Sequence, residues 1–106
     1  MYDEAHRRAA DAAIDYVTEA MKKPGRPGPK GHCFCHVKVL HPVRHPFVKW
    51  CRENGIGHYT KKHGLILTNV GRYGGKDLMI EVGAAEAFCD VLREYEIETE
   101  LQHPPL

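Results

Sequence analysis

With 106 residues, 42% of them hydrophobic and 27% charged, the chain has the size and composition of a single folded domain that buries a core without help from disulfides or metal. That balance excludes a disordered chain, and the longest apolar run is too short for a transmembrane helix. The formal net charge of +1 conceals a segregation. From Lys22 to Lys76 twelve basic residues stand against one acid, Glu53, a local charge of +11, whereas residues 1–21 carry −3 and residues 77–106 carry −7. A positive middle between negative ends makes a dipolar molecule that orients beside a polyanion.

The opening stretch, MYDEAHRRAADAAIDYVTEAM, is interrupted by acids every few positions and has neither the apolar core nor the cleavage site of a secretory signal. A soluble, cytoplasmic protein is expected. Its alanine content predicts a helix from about Tyr2 to Lys23, with Ala10, Ile14, Val17 and Met21 at helical spacing and Pro24 as its stop. The stripe is thin, so this helix is expected on the outside of the domain or paired with a second copy as a homodimer. Residues 24–31, PGRPGPKG, read as a basic proline-glycine linker: two Gly-X-Y triplets are too few for collagen, and the Gly-Lys-Ser/Thr ending of a P-loop is missing. A compact domain is expected over residues 32–106.

Alternation from His32 to Leu40 predicts a strand, with Cys33, Cys35, Val37 and Val39 inward and His32, Phe34, His36, Lys38 and Leu40 outward. HPVRHPFVKWCRENG follows as an amphipathic helix, with Pro46 at its first position and Gly55 as C-terminal cap. Phe47, Trp50 and Cys51 share one side of it, and Arg44, Lys49 and Arg52 meet solvent. HYTKK and LILTNV flank His63-Gly64 as a hairpin, and GRYGG makes a second turn. DLMIEVG reads as a third strand with Leu78, Ile80 and Val82 inward. AAEAFCDVLREY closes the chain as a helix that buries Ala84, Ala87, Phe88, Val91, Leu92 and Tyr95. The expected fold is α+β: a small antiparallel sheet with helices packed mainly on one face, in the order α-β-α-β-β-β-α. From Val43 onward, helix, three strands and helix resembles, in element order, the double-stranded-RNA-binding fold and the small HicA-type toxins built on it. Lys61-Lys62-His63-Gly64 stands where those toxins carry a glycine-serine-histidine stretch.

Four cysteines, Cys33, Cys35, Cys51 and Cys89, fall where a strand or helix would bury them, and without a secretory signal they read as core thiols. Cys33 and Cys35 with His41 and His45 give C-x-C followed by H-x3-H, the second half of which has zinc-finger spacing. Five residues between Cys35 and His41 are too few for the hairpin and helix of a finger, and the strand turns its cysteines away from its histidines. No metal or cofactor is expected. His58, Tyr59, Lys61, Lys62 and His63, with Glu81, are the residues from which a metal-independent ribonuclease would be built. An exposed hairpin tip needs no such role, so the expectation leans against an enzyme.

Six of the eight histidines, and Phe34, Phe47, Trp50, Tyr59 and Tyr73, lie in the basic block. Cations interleaved with rings suit single-stranded nucleic acid, whose phosphates take the charge while its bases stack. The expected function is a small nucleic-acid-binding module, RNA favoured over DNA. Its contacts are expected at Lys30, Phe34, Lys38, Arg44, Lys49, Arg52, Tyr59, Lys61, Lys62, His63 and Arg72. A protein-binding inhibitor or adaptor, such as a phage anti-defence protein docking on a host protein, is the alternative. Exposed rings among the lysines favour nucleic acid, and buried rings favour a protein partner.

Overall fold

Alanine at every fourth position decides how the chain begins to pack. The computed structural model describes residues 1–22, 35–73 and 77–104. Its first helix, α1 (Tyr2–Lys22), buries Ala5, Ala9, Ala13 and Val17 along one line, with Asp3 and Glu4 in the first turn and Lys22 in the last, as the helix dipole favours. Val17 is buried as expected, but the rest of the line runs one position away from the expected stripe: Ala10 and Ile14 are half-buried, and Met21 is 66% exposed. Side chains this small let α1 approach its neighbour closely. It lies antiparallel to α3 (Leu78–Glu94), since Arg8 bonds Glu94 and Tyr95 near one end while Tyr16 covers Gly83 nearer the other. A Cβ at Gly83 would collide with the end of the Tyr16 ring, so any larger residue there needs that ring to shift.

Four short strands build the sheet: β1 (His36–Val39), β2 (His58–Thr60), β3 (Gly64–Leu67) and β4 (Thr99–Gln102), in the order β2-β3-β1-β4 and antiparallel throughout. Val37 faces Leu67 and Leu101, and Val39 faces Leu65 and Thr99, which lines up the apolar residues on the helix side. Lys38 faces Ile66 and Glu100 on the opposite side. β1 has the inward and outward faces expected of it: Cys35, Val37 and Val39 are buried, and His36, Lys38 and Leu40 are not. The linker over residues 24–31, and Cys33 and Phe34, lie outside the described residues.

Helix α2 (Pro46–Glu53) is also as expected, with Pro46 at its first position. His45 Nδ1 accepts from the Phe47 amide at 3.1 Å and caps the helix. At its other end Gly55 takes φ +67 while Ile56 N donates to Cys51 O and Gly55 N to Arg52 O, the paired bonds of a Schellman closure. Phe47, Val48 and Cys51 are buried, and the Phe47 ring lies 5.8 Å from Tyr2 of α1. The core joins these side chains to Val37, Val39, Leu65, Phe88, Leu92 and Ile97.

The α+β class, three helices and a four-stranded antiparallel sheet are as the sequence predicts. The placement of one strand is corrected. Residues 78–82, expected as the third strand, form the first turns of α3, because Asp77 caps them by accepting from Met79 N at 3.0 Å and Leu78, Val82, Ala85, Cys89 and Leu92 are buried at helical spacing. The fourth strand is instead β4, which follows α3 and pairs beside β1. With helix, two strands, helix and strand after Val43, the likeness to the double-stranded-RNA-binding element order does not hold. Among the described residues no helix is long and apolar enough to cross a membrane.

Candidate nucleic-acid interface

The β2–β3 hairpin gathers cations because its turn is short. Lys61, Lys62 and His63 fill the three positions between Thr60 and Gly64, which pair with each other, and the Thr60 hydroxyl accepts from His63 N at 3.0 Å. All three side chains are exposed. One residue back from the tip, Tyr59 points to the helix side of the sheet opposite Leu65, and the Arg52 guanidinium from the end of α2 lies 4.6 Å above its ring. This cation–π contact ties α2 to β2. Lys49, one turn earlier on α2, is exposed on the same side as Arg52.

The structure thus brings Lys49, Arg52, Tyr59, Lys61, Lys62 and His63 into one run along the β2 edge of the sheet. Arg44 is exposed just ahead of the α2 cap. Lys38 stands apart: it is half-buried on the outer face of β1, and β4 sets Glu100 directly across from it. Arg72 lies past β3, toward the other end of the strands from the hairpin tip. Lys30 and Phe34 fall outside the described residues.

A cleft of about 230 Å³ separates the end of α2 from β2, lined by Arg52, Gly55, Ile56, Gly57, His58, Tyr59 and Leu65. A second, of about 160 Å³, opens on the far side of Ile56 and Gly57 and is lined by residues that include His6 and Arg72. The two clefts share Ile56 and Gly57, with Arg52 lining the first and Arg72 the second. His6 is a residue that reading the sequence missed, because the first helix was taken as an outer one; the Tyr2, His6, Ala10 spacing was the available signal. Burial, then the nearby Arg72 charge, hold the His6 imidazole below its ordinary pKa.

The described ion pairs lie elsewhere. Met1–Asp3 and Lys22–Glu19 belong to α1, Arg93–Asp90 to α3, and Arg8–Glu94 joins the two helices. None involves Arg44, Lys49, Arg52, Lys61, Lys62 or Arg72. Asp3, Glu19, Asp90 and Glu94 are thus the acids that meet a cation among the described ion pairs, and none of them pairs with a cation of the β2 edge. The aromatic rings are less available. Trp50 is half-buried, stacked on Phe47 at 6.2 Å and tilted against His6 at 5.7 Å, and Tyr59 is half-buried beneath Arg52.

The residues named for ribonuclease chemistry are only partly brought together, with Lys61, Lys62 and His63 at the hairpin tip. His58 and Tyr59 are neighbours on a strand and point to opposite faces. Glu81 lies in the first turn of α3 near Cys35, whose thiol it perturbs, and Cys35 sits about five residues, ~17 Å, along the sheet from the hairpin tip. Among the described residues no three His, Cys, Asp or Glu side chains group around a point where a metal could sit. Cys35 is core, its thiol raised to about 11 by burial first and nearby acids second. His41 and His45 stack face to face at 4.0 Å, and each spends one nitrogen on a backbone amide, Glu98 N for His41 and Phe47 N for His45. Parallel stacked rings aim their remaining nitrogens side by side rather than at one shared point. No protein-family model, no curated protein and no solved structure matches the chain.

Proposed function

We propose that the protein is a nucleic-acid-binding module, favouring RNA over DNA, whose contact surface is the β2 edge with the exposed side of α2. The observation that carries this reading is the run Lys49, Arg52, Lys61 and Lys62, exposed along one edge and outside every described ion pair. A polyanion would release counterions from its backbone on meeting such a run. α2 has eight residues, about 12 Å of helix, which is little to lay in a major groove. A narrow basic edge with a guanidinium already stacked on a ring suits a single strand instead, since bases stack on arginine planes as well as on aromatic rings.

A second reading has its own support. Trp50 and Tyr59 are half-buried, while Leu40 and Val43 expose apolar side chains 46% and 37% beside Arg44. Charge around exposed aliphatic groups, with few open rings, fits a protein partner, the inhibitor or adaptor role. α1 buries Ala5, Ala9, Ala13 and Val17, and of the stripe expected to pair two copies Met21 stays exposed.

Titration of labelled single-stranded RNA, double-stranded RNA and duplex DNA across a range of salt concentrations separates the readings. Tight binding with a steep salt slope, strongest for single strands, is the expected result. Absence of binding to all three at low salt would overturn the nucleic-acid reading and leave the protein-partner one. In a Lys61→Ala, Lys62→Ala variant the slope should flatten by roughly 1.4, two phosphate contacts at about 0.7 each for a single strand. An unchanged slope would remove the hairpin from the interface.

A further inference from the structure

The open cleft beyond Ile56 and Gly57 combines charge and hydrogen-bonding groups in a way the run of lysines does not. Its 160 Å³ lie between α1, the chain that leaves β3, and α3. Two of its lining residues, His6 and Arg72, are basic, two more, Thr68 and Asn69, carry neutral hydrogen-bonding groups, and among the described residues none of the lining is acidic. The rest of the wall includes Ile56 and Phe88. His6 is fixed by rings from two other elements, Trp50 of α2 at 5.7 Å and Phe88 of α3 at 5.9 Å, and the charged group that perturbs it is Arg72. Arg72 is held by a tight turn, its N donating to Asn69 O at 3.0 Å, and it joins none of the described ion pairs. Two basic residues thus line one small cleft, and no carboxylate is among its described lining residues.

We infer that this cleft binds a phosphate-type oxyanion, with Arg72 and His6 as its cationic partners and Thr68 and Asn69 as its neutral ones. The space is well below that of a pocket for a drug-sized ligand, so it takes a phosphoryl group and the few atoms joined to it rather than a whole nucleotide. Burial, then the Arg72 charge, disfavour the imidazolium. An anion between the two groups reverses that balance, so His6 takes up a proton as the ligand binds and affinity rises as pH falls below neutrality. The inference does not rest on the nucleic-acid reading; where both hold, the cleft receives a strand's terminal phosphate.

The test follows the His6 ring resonances of the full chain by NMR during titration with inorganic phosphate, at a pH near neutrality and again about one unit lower. A saturable shift of His6 that tightens at the lower pH is expected. Arg72→Asn, chosen because asparagine tolerates the φ of +52 at this position, should weaken the binding at least about tenfold while the amide spectrum stays that of the folded protein. His6→Gln keeps a hydrogen-bonding group; followed through the backbone amides of Asn69 and Arg72, its phosphate binding should no longer tighten at the lower pH. No saturable shift, or an equal one in the folded Arg72→Asn protein, overturns the inference. Short oligonucleotides with and without a 5′-phosphate then compete. Preference for the phosphorylated strand identifies a strand end, and displacement by free phosphate alone identifies a free anion, either one supporting the site. Equal displacement by the unphosphorylated strand overturns it, since the cleft would not select the phosphoryl group. Failure here leaves the salt slope of the hairpin variant untouched, so the two proposals fall separately.

Discussion

Two helices end on the same pair of backbone bonds, but with different residues in the left-handed position. α2 uses Gly55, φ +67, whereas α3 uses Glu96, φ +61, with Ile97 N donating to Leu92 O and Glu96 N to Arg93 O. A side chain in that conformation costs on the order of 1 kcal/mol, which glycine avoids. Ile97 behind it is buried against the core, so the closure is held by packing in spite of the strain. Glu96→Gly should therefore raise the unfolding free energy by about 1 kcal/mol in a urea titration; a loss of stability would mean that the Glu96 side chain makes a contact worth more than the strain. Cys51 offers the opposite case. It is fully buried among apolar groups, and burial pushes its thiol up to about 12. Cys51→Ser would place a hydroxyl where the described neighbours are core side chains, and should cost about 1–3 kcal/mol. In the native protein its thiol should react with iodoacetamide far more slowly than in urea, and equal rates would show that the site opens readily.

At the scale of the element, the pairing of α1 with α3 depends on small residues on both sides. Gly83 sits mid-helix, where glycine is otherwise unfavourable by up to about 1 kcal/mol, because Tyr16 occupies the space above it. Gly83→Ala gains helix propensity and loses the fit. Overpacking typically costs 1–3 kcal/mol, so net destabilisation is expected, and Tyr16→Ala in the same chain should return the propensity gain. A stabilising single variant would show that Tyr16 moves aside freely. This contact also explains what could and could not be read from the sequence. β1, α2 and the hairpin are legible because alternation, Pro46, Gly55 and the short turn act locally. Leu78, Ile80 and Val82 alternate as a strand does, and Gly83 resembles its end; only the packing against Tyr16 shows why a helix carries that glycine, though Asp77 is a cap the sequence displays. TELQ has one strongly apolar residue, and its partner β1 lies far back in the chain, so nothing local marks β4. The candidate site divides on the same line. Arg52, Tyr59, Lys61 and Lys62 come together through neighbouring elements, while Lys38 is set beside Glu100 by the unforeseen strand, and His6 joins Arg72 through a helix read as peripheral.

Across the whole molecule, titratable groups of two kinds bound the range of stability. His6 and His45 both have folded pKa values below their ordinary 6.5, by burial first and then by a neighbouring positive or titratable group, Arg72 and His41 respectively. The unfolded chain then binds more protons than the folded one, so their contribution is fully present above about pH 6.5 and is lost as pH falls through the folded values. For His45 the loss has a structural form: the protonated ring cannot accept from Phe47 N, and α2 loses its cap. Cys35, Cys51 and Cys89 act at the other end, their thiols raised above 9.0 by burial, so the folded state holds protons that the unfolded chain gives up. Their contribution is present below pH 9.0 and declines as pH rises toward about 11 and 12, the folded values of Cys35 and Cys51. A plot of Tm against pH should therefore be flat between these limits and fall on both sides. His45→Asn distinguishes the cap from the other acid-sensitive groups, because asparagine accepts the same amide bond and does not titrate. It should match the parent protein at neutral pH and lose less stability at about pH 5, with the remaining fall left to His6 and the carboxylates. An acid limb unchanged by the substitution would show that the His41–His45 stack accommodates a proton without releasing α2.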